Sequence, residues 1–191
     1  MGALFSKEFY EFIPRHLKPD GLFVQWIQLY EIDDVLVASI MNALTPAFSD
    51  YQAYISNPAD LIIVATPQGR LPEIKPQRIL QGLVSEDIKR LGIASAEQLQ
   101  LRKVADAQTL RAHGALFGTP ANSYYHPLLS LRAPVTRYMK KMAFTLANLK
   151  YQSDLSPAML LDALGIRQPL PDDIETSNNY EIGRASCRER V

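Results

Sequence analysis

The run LFVQWIQLY, residues 22–30, constrains the fold more than any other stretch, because it is apolar and aromatic throughout except at Gln25 and Gln28. A run of that kind is the pattern of a strand covered on both faces in a parallel sheet, which in turn demands helices on either side. Trp26, in its middle, is expected in the core. Just before it, Lys18-Pro19-Asp20-Gly21 joins a proline that fixes φ to a glycine that tolerates positive φ, so the chain must turn into the strand.

Helical periodicity flanks the run. Over residues 4–17, Phe5, Phe9, Phe12, Ile13 and Leu17 recur near the helical period, with Ser6 placed as a cap and Glu8 in the first turn. After the run, Asp33 and Asp34 precede a second helix in which Val35, Leu36, Ala38, Ile40, Met41 and Leu44 give a broad apolar face, ending around Pro46. YQAYIS (51–56) and DLIIVAT (60–66) are separated by only three residues, enough for an antiparallel hairpin and too few for a parallel crossover. Helix, buried strand, helix and terminal antiparallel pair predict an α/β fold: the C-terminal portion of a Rossmann-like, methyltransferase-type sheet, with one parallel strand plus the hairpin.

Beyond Pro67 the composition changes. A proline-punctuated loop (68–76) leads to helical segments near 77–90, 95–102 and 107–116 with no further convincing strand, then a loop over 118–127 and helices over 135–149 and 157–164, the last ending at Gly165. The expected organisation is therefore residues 1–67 as the sheet-bearing part, 68–166 as a helical appendage, and 167–180 as a polar linker or frayed end. EIGRASCRERV (181–191) resembles a translated sequencing adapter and is left out of fold reasoning. The one cysteine, Cys187, lies in that tail, so residues 1–180 offer no thiol for a disulfide, a zinc site or nucleophilic catalysis.

Charge excludes some partners. Twenty basic and 20 acidic residues balance, giving no net field for nucleic acid or an anionic membrane. The longest apolar runs, such as LIIVA, fall short of the ~20 residues of a spanning helix, and no secretory leader is evident, which predicts a cytoplasmic location.

Candidate chemistry gathers after the long strand. Ligands of parallel α/β sheets sit beyond the carboxyl ends of the strands, which points to Gln28, Tyr30 and Glu31. Gln25 and Gln28 are amides in an apolar strand, and each needs a hydrogen-bond partner, either the protein and its water or a substrate. Glu31, Asp33 and Asp34 form a carboxylate cluster able to bind an amine cation or accept its proton; for the two aspartates, helix capping is an equally sufficient reason. His16, His113 and His126 are scattered without metal-ligand spacing, and no metal is expected. His16 suits a helix end; His126 sits in a loop with aromatics. Arg137, Lys140 and Lys141 read as a basic helix face, solvated rather than in contact with a phosphate or partner, and Tyr124-Tyr125 as packing that locks a loop rather than lining a pocket. There is no G-x-G-x-x-G, phosphate loop or nucleophile elbow.

Two segments, GALFSKEFYEFIPRHLKPDGLFVQWIQLYEID (2–33) and NSYYHPLLSLRAP (122–134), resemble bacterial spermidine synthase-like proteins, in particular the group often fused to a transporter-like membrane domain. Similar proteins carry an aspartate after Asn-Ser, where this chain has Tyr124, and an acidic residue is common where Ser130 stands. The resemblance implies transfer of an aminopropyl group from decarboxylated S-adenosylmethionine to a putrescine-like amine, giving spermidine and methylthioadenosine. It further implies that the cofactor loop, the ribose-binding acid and the catalytic aspartate precede the helix at which this sequence starts. No cofactor-binding or catalytic residue is therefore carried over, and the chain alone is expected to be inactive. Gln25, Gln28, Tyr30 and Glu31 match one wall of the family's substrate site. A membrane domain upstream and a homo-oligomer are both compatible with it. Two alternatives stay open: an S-adenosylmethionine-dependent methyltransferase, since the fold does not fix the reaction, and a non-catalytic module that binds a partner.

Overall fold

The computed structural model describes residues 2–57 and 59–148; the helix expected over 157–164, the linker and the adapter-like tail lie outside them. The fold is mixed α/β, with an open four-stranded antiparallel sheet in the order β1-β3-β2-β4.

The chain begins with a 3-10 turn, Gly2–Phe5, and helix α1, Lys7–Phe12. Ser6 caps α1 as expected, its hydroxyl accepting the Phe9 N–H at 3.2 Å. The helix is shorter than its periodicity suggests because Pro14 has no N–H to return to Tyr10, and the chain tightens into a 3-10 turn over Ile13–His16. Strand β1 follows, Phe23–Gln28, and then α2, Asp34–Leu44. Asp33 is the N-cap of α2, its carboxylate accepting the Leu36 N–H at 3.1 Å. Strands β2, Asp50–Asn57, and β3, Asp60–Thr66, form the expected hairpin.

β3 also pairs with β1, antiparallel from Phe23 opposite Ala65 to Gln28 opposite Asp60. β1 and β2 therefore run in the same direction with β3 between them. The parallel pairing expected of β1 does not occur among the described residues, and β1 stands at the edge of the sheet. Only one of its faces is covered. Phe23, Gln25 and Ile27 look toward α1 and α2, whereas Val24 and Trp26 lie on the opposite, more open face and remain 58% and 49% exposed. This corrects the expectation that Trp26 is core: the run is apolar on both faces, but the described residues pack only one.

The covered face carries the core. Leu61, Ile63 and Ala65 of β3 and Tyr51 and Ala53 of β2 pack with Ile27 against Leu36, Val37, Ile40, Met41 and Leu44 of α2. Phe23 and Phe48 stack at 5.3 Å, with Tyr10 edge-on to both. The buried Tyr10 hydroxyl donates to Gln25 Oε1 at 2.6 Å, and burial raises the phenol well above its ordinary pKa.

After Thr66 come three short helices, α3 (Pro76–Leu80), α4 (Ser85–Arg90) and α5 (Ala96–Gln100). A fourth strand, β4, Lys103–Asp106, then pairs antiparallel with β2, so this part is not wholly helical. Four residues with one buried side chain, Ala105, are too few for a periodic signal. Helix α6, Ala107–Leu116, lies on α2, where Asn42 Nδ2 donates to the carbonyls of Gly114 (3.2 Å) and Thr119 (2.7 Å). The helix expected over 135–149 is instead two: α7, Leu128–Tyr138, and α8, Phe144–Asn148. They are split where Lys140 takes a left-handed φ of 50°, and Asp34 caps the second by accepting the Thr145 N–H at 3.0 Å. Among the described residues no helix is long and apolar enough to cross a membrane.

His113 of α6 is buried against Phe117, ring centroids 5.1 Å apart, and among the described residues neither of its nitrogens has a hydrogen-bond partner. Burial pushes its pKa down from 6.5 to about 4. Between those values the unfolded chain binds a proton that the folded chain refuses, so stability falls as pH falls and the loss levels off below the lower value. Urea unfolding at pH 7 and pH 4.5 should show the wild type losing about 2–3 kcal/mol more than His113→Leu across that interval. Equal losses in the two proteins would show that the imidazole is not held neutral.

Candidate functional site

A cavity of about 490 Å³ lies along β1, bounded by the first turn (Gly2, Phe5), by Trp26, Ile27 and Gln28, by Glu31 and Ile32 beyond the strand, and by α7. Its walls are mostly apolar, with the Gln28 amide, the Glu31 carboxylate, the Ser130 hydroxyl and the Arg137 guanidinium as the polar groups. Such a lining, with a few convergent polar groups, suits a small molecule with an aliphatic body and one charged end.

Asn122 assembles these walls. It is buried, its Nδ2 donates to the carbonyls of Gly2 and Phe5 (both 3.0 Å), and its Oδ1 accepts the Leu129 N–H at 3.1 Å. Its backbone N–H donates to Ser39 O of α2 at 3.1 Å, and its carbonyl accepts the Lys7 N–H at 2.8 Å. One residue thus fastens the first turn, α1, α2 and the start of α7 together. Ser39 adds a bond from its hydroxyl to Pro120 O at 2.8 Å.

Glu31 sits in the left-handed region, φ 58°, which for a residue with a side chain is uncommon and costs roughly 1–2 kcal/mol. Thr136 Oγ1 of α7 holds it by donating to its carbonyl at 2.9 Å, and Arg137 Nε lies 3.1 Å from its carboxylate. Next along the chain, Asp33 is approached by Lys141 (3.5 Å) and Arg132 (3.7 Å). Burial pushes the Asp34 carboxyl up, while the bond from the Thr145 N–H opposes the shift. Arg137 and Lys141 are thus engaged with the acidic turn after β1, rather than forming the purely solvated face that the sequence suggests.

Of the four candidate substrate residues, two meet at the cavity. Gln28 and Glu31 line it, Gln28 with its Nε2 donating to Tyr30 O at 3.3 Å. Gln25 points the other way, satisfied by Tyr10 and by donation from its Nε2 to Leu4 O at 3.2 Å, so the protein is its partner. Tyr30 bridges to Met142 as an isolated β-bridge, and its ring is exposed beside the cavity rather than in its lining. Tyr124 and Tyr125, expected to pack, are instead exposed, Tyr125 at 87%, because the tight Ser123–His126 turn throws both rings outward. His16 packs edge-on to Phe12 at 4.0 Å, and His126 is exposed. Among the described residues no group of histidine, cysteine and carboxylate side chains could hold a metal ion. Asn122, Thr136 and Arg137 were not singled out as site residues from sequence. The only available signal was that Asn122 opens the NSYYHPLLSLRAP segment.

No family model matches the chain, and no curated protein or solved structure matches it.

Replacing Asn122 should loosen the cavity from its base. Asn122→Ala leaves two carbonyls and one N–H unpaired in the interior and should cost about 2–4 kcal/mol in chemical denaturation. Asn122→Asp should be no better, since a carboxylate cannot donate to the Gly2 and Phe5 carbonyls. A loss below about 1 kcal/mol would mean that the three segments are held by something else.

Proposed function

We propose that the chain is the C-terminal portion of a spermidine synthase-like aminopropyltransferase, and that the cavity beside β1 is the amine side of its active site. The observation that carries this reading is convergence at one place. Gln28 and Glu31, in the segment that resembles the family's substrate wall, face the helix formed by the second resembling segment, NSYYHPLLSLRAP, across a mostly apolar cavity. Strand order adds support. Two strands in the same direction with an antiparallel strand between them, and an unpaired edge on β1, suit the last third of a methyltransferase-type Rossmann sheet whose other strands would join at that edge.

The chemistry fits the residues present. In aminopropyl transfer a neutral amine attacks the carbon next to a sulfonium: the C–N bond forms, the C–S bond breaks with its electrons passing to sulfur, and the new ammonium loses a proton. Glu31 offers an anion for the distal ammonium of a diamine, Gln28 a hydrogen-bonding amide, and Trp26, Ile27, Ile32 and Ala133 a surface for the methylene chain. In this reading the groups that bind decarboxylated S-adenosylmethionine and take the proton belong to an upstream part of the protein. The described portion by itself is inactive, cytoplasmic, and tethered to the inner membrane only if a transporter-like domain precedes it.

A second reading, a non-catalytic docking module, is favoured by the exposed stripe Leu131, Val135, Tyr138 and Met139 on α7 with its C-cap, together with Tyr124 and Tyr125. The intact gene product decides between them. Incubated with decarboxylated S-adenosylmethionine and putrescine, it should yield spermidine and methylthioadenosine in equal amounts. Neither product would reject the aminopropyltransferase, and methyl transfer from ordinary S-adenosylmethionine would replace it with a methyltransferase.

A further inference from the structure

Arg137 reaches Glu31 from outside. Its side chain is 74% exposed against 35% for that of Glu31, and Nε lies 3.1 Å from Oε2, both residues lining the cavity. The other cations nearby are committed elsewhere: Arg132 and Lys141 both approach Asp33. Glu31 itself is fixed, its backbone held left-handed and its carbonyl bonded by Thr136 Oγ1 one residue before Arg137. The Glu31 backbone is thus held beside α7, and the guanidinium, on its long and more exposed stem, can leave the pair.

We infer that Arg137 is a resident counter-ion that tunes affinity at this site: it occupies the Glu31 carboxylate when the cavity is empty, and an entering alkylammonium group must displace it. This rests on the proposal that the cavity takes an amine. The consequences follow from charge and exposure. Any cation entering the cavity competes with the guanidinium for one carboxylate, so apparent affinity is reduced by the strength of the resident pair. An ion pair as exposed as this one is weak, which sets that reduction at roughly two- to fivefold. The same competition disfavours neutral or anionic ligands differently. A neutral ligand gains nothing by displacing Arg137, and a carboxylate would gain the guanidinium only by breaking its pair with Glu31. The preference for a cation with an aliphatic stem comes from Glu31 and the apolar lining, and Arg137 sets how tightly that cation is held.

Trp26 is the single tryptophan of the chain and lines the cavity, so its fluorescence reports occupancy without a label. The full chain is titrated with 1,4-diaminobutane at low ionic strength in three forms: wild type, Arg137→Gln and Glu31→Gln. The expected result is saturable change in the wild type, a dissociation constant roughly two- to fivefold lower in Arg137→Gln, and no saturable change in Glu31→Gln. Equal constants in wild type and Arg137→Gln, or a weaker one in the variant, overturn the counter-ion role while leaving the amine site standing. Loss of the fluorescence response in both wild type and Arg137→Gln refutes the amine site itself. Because Arg137 is exposed and Glu31→Gln keeps the side-chain shape, circular dichroism should be unchanged in both variants, and a changed spectrum in Glu31→Gln directs the comparison to Glu31→Asp, which must also bind the diamine if the carboxylate is the recognising group.

Discussion

Everything around the cavity depends on one buried amide. Asn122 has a donor group and an acceptor group at the end of a short, stiff side chain, and the fold uses both: two carbonyls of the first turn on one side, the Leu129 N–H in the first turn of α7 on the other. Segments more than 115 residues apart in sequence are joined there, since the bonds to Gly2 and Phe5 span 120 and 117 positions. A buried amide left unpaired is costly, so such a residue is either fully satisfied or a defect, and here it is satisfied five times over, counting its backbone.

That clasp has a consequence for β1. With the first turn held near α7, the two form the far bank of a trough whose near bank is the unpaired edge of the strand. Exposed strand edges invite pairing, and an apolar one is a liability unless something fills it. The uncovered face bearing Val24 and Trp26 continues the same surface. In the proposed parent, further strands and their helices would lie against this edge and face, and the cavity would become the enclosed end of a larger cleft. That enclosure would strengthen the pairing of Glu31 with an ammonium group, because water weakens the hold of an open carboxylate on a cation.

How far this could be read from the residues varies with the physics of each element. Ser6 and Asp33 were legible as caps because capping is local, and the β2–β3 hairpin because a three-residue connection permits little else. Trp26 was misplaced because an apolar residue shows what a position could bury, not what is present to bury it. β4 was missed for its brevity, and α7 was displaced because Pro134 within the helix and the left-handed Lys140 after it contradict the periodic stripe that suggested a continuous helix. In the site, Glu31 and Gln28 follow from their position at the end of a strand. Gln25 was drawn in as an amide within an apolar strand, and only the tertiary contact with Tyr10 shows that it turns away. Arg137 as the partner of Glu31, and Asn122 as the clasp, depend on contacts across more than 100 residues and leave no local mark.

Amide hydrogen exchange on the folded chain tests the clasp most directly. If Asn122 binds the first turn, α1, α2 and α7 into one unit, the Leu129, Lys7 and Asn122 amides should exchange as slowly as the amides of the central strand β3, although none of the three lies within a regular helix or strand ladder bond. Exchange of these three at the rate of exposed loop amides, with β3 still protected, would show that the walls of the cavity open independently and would contradict the account of the site given above.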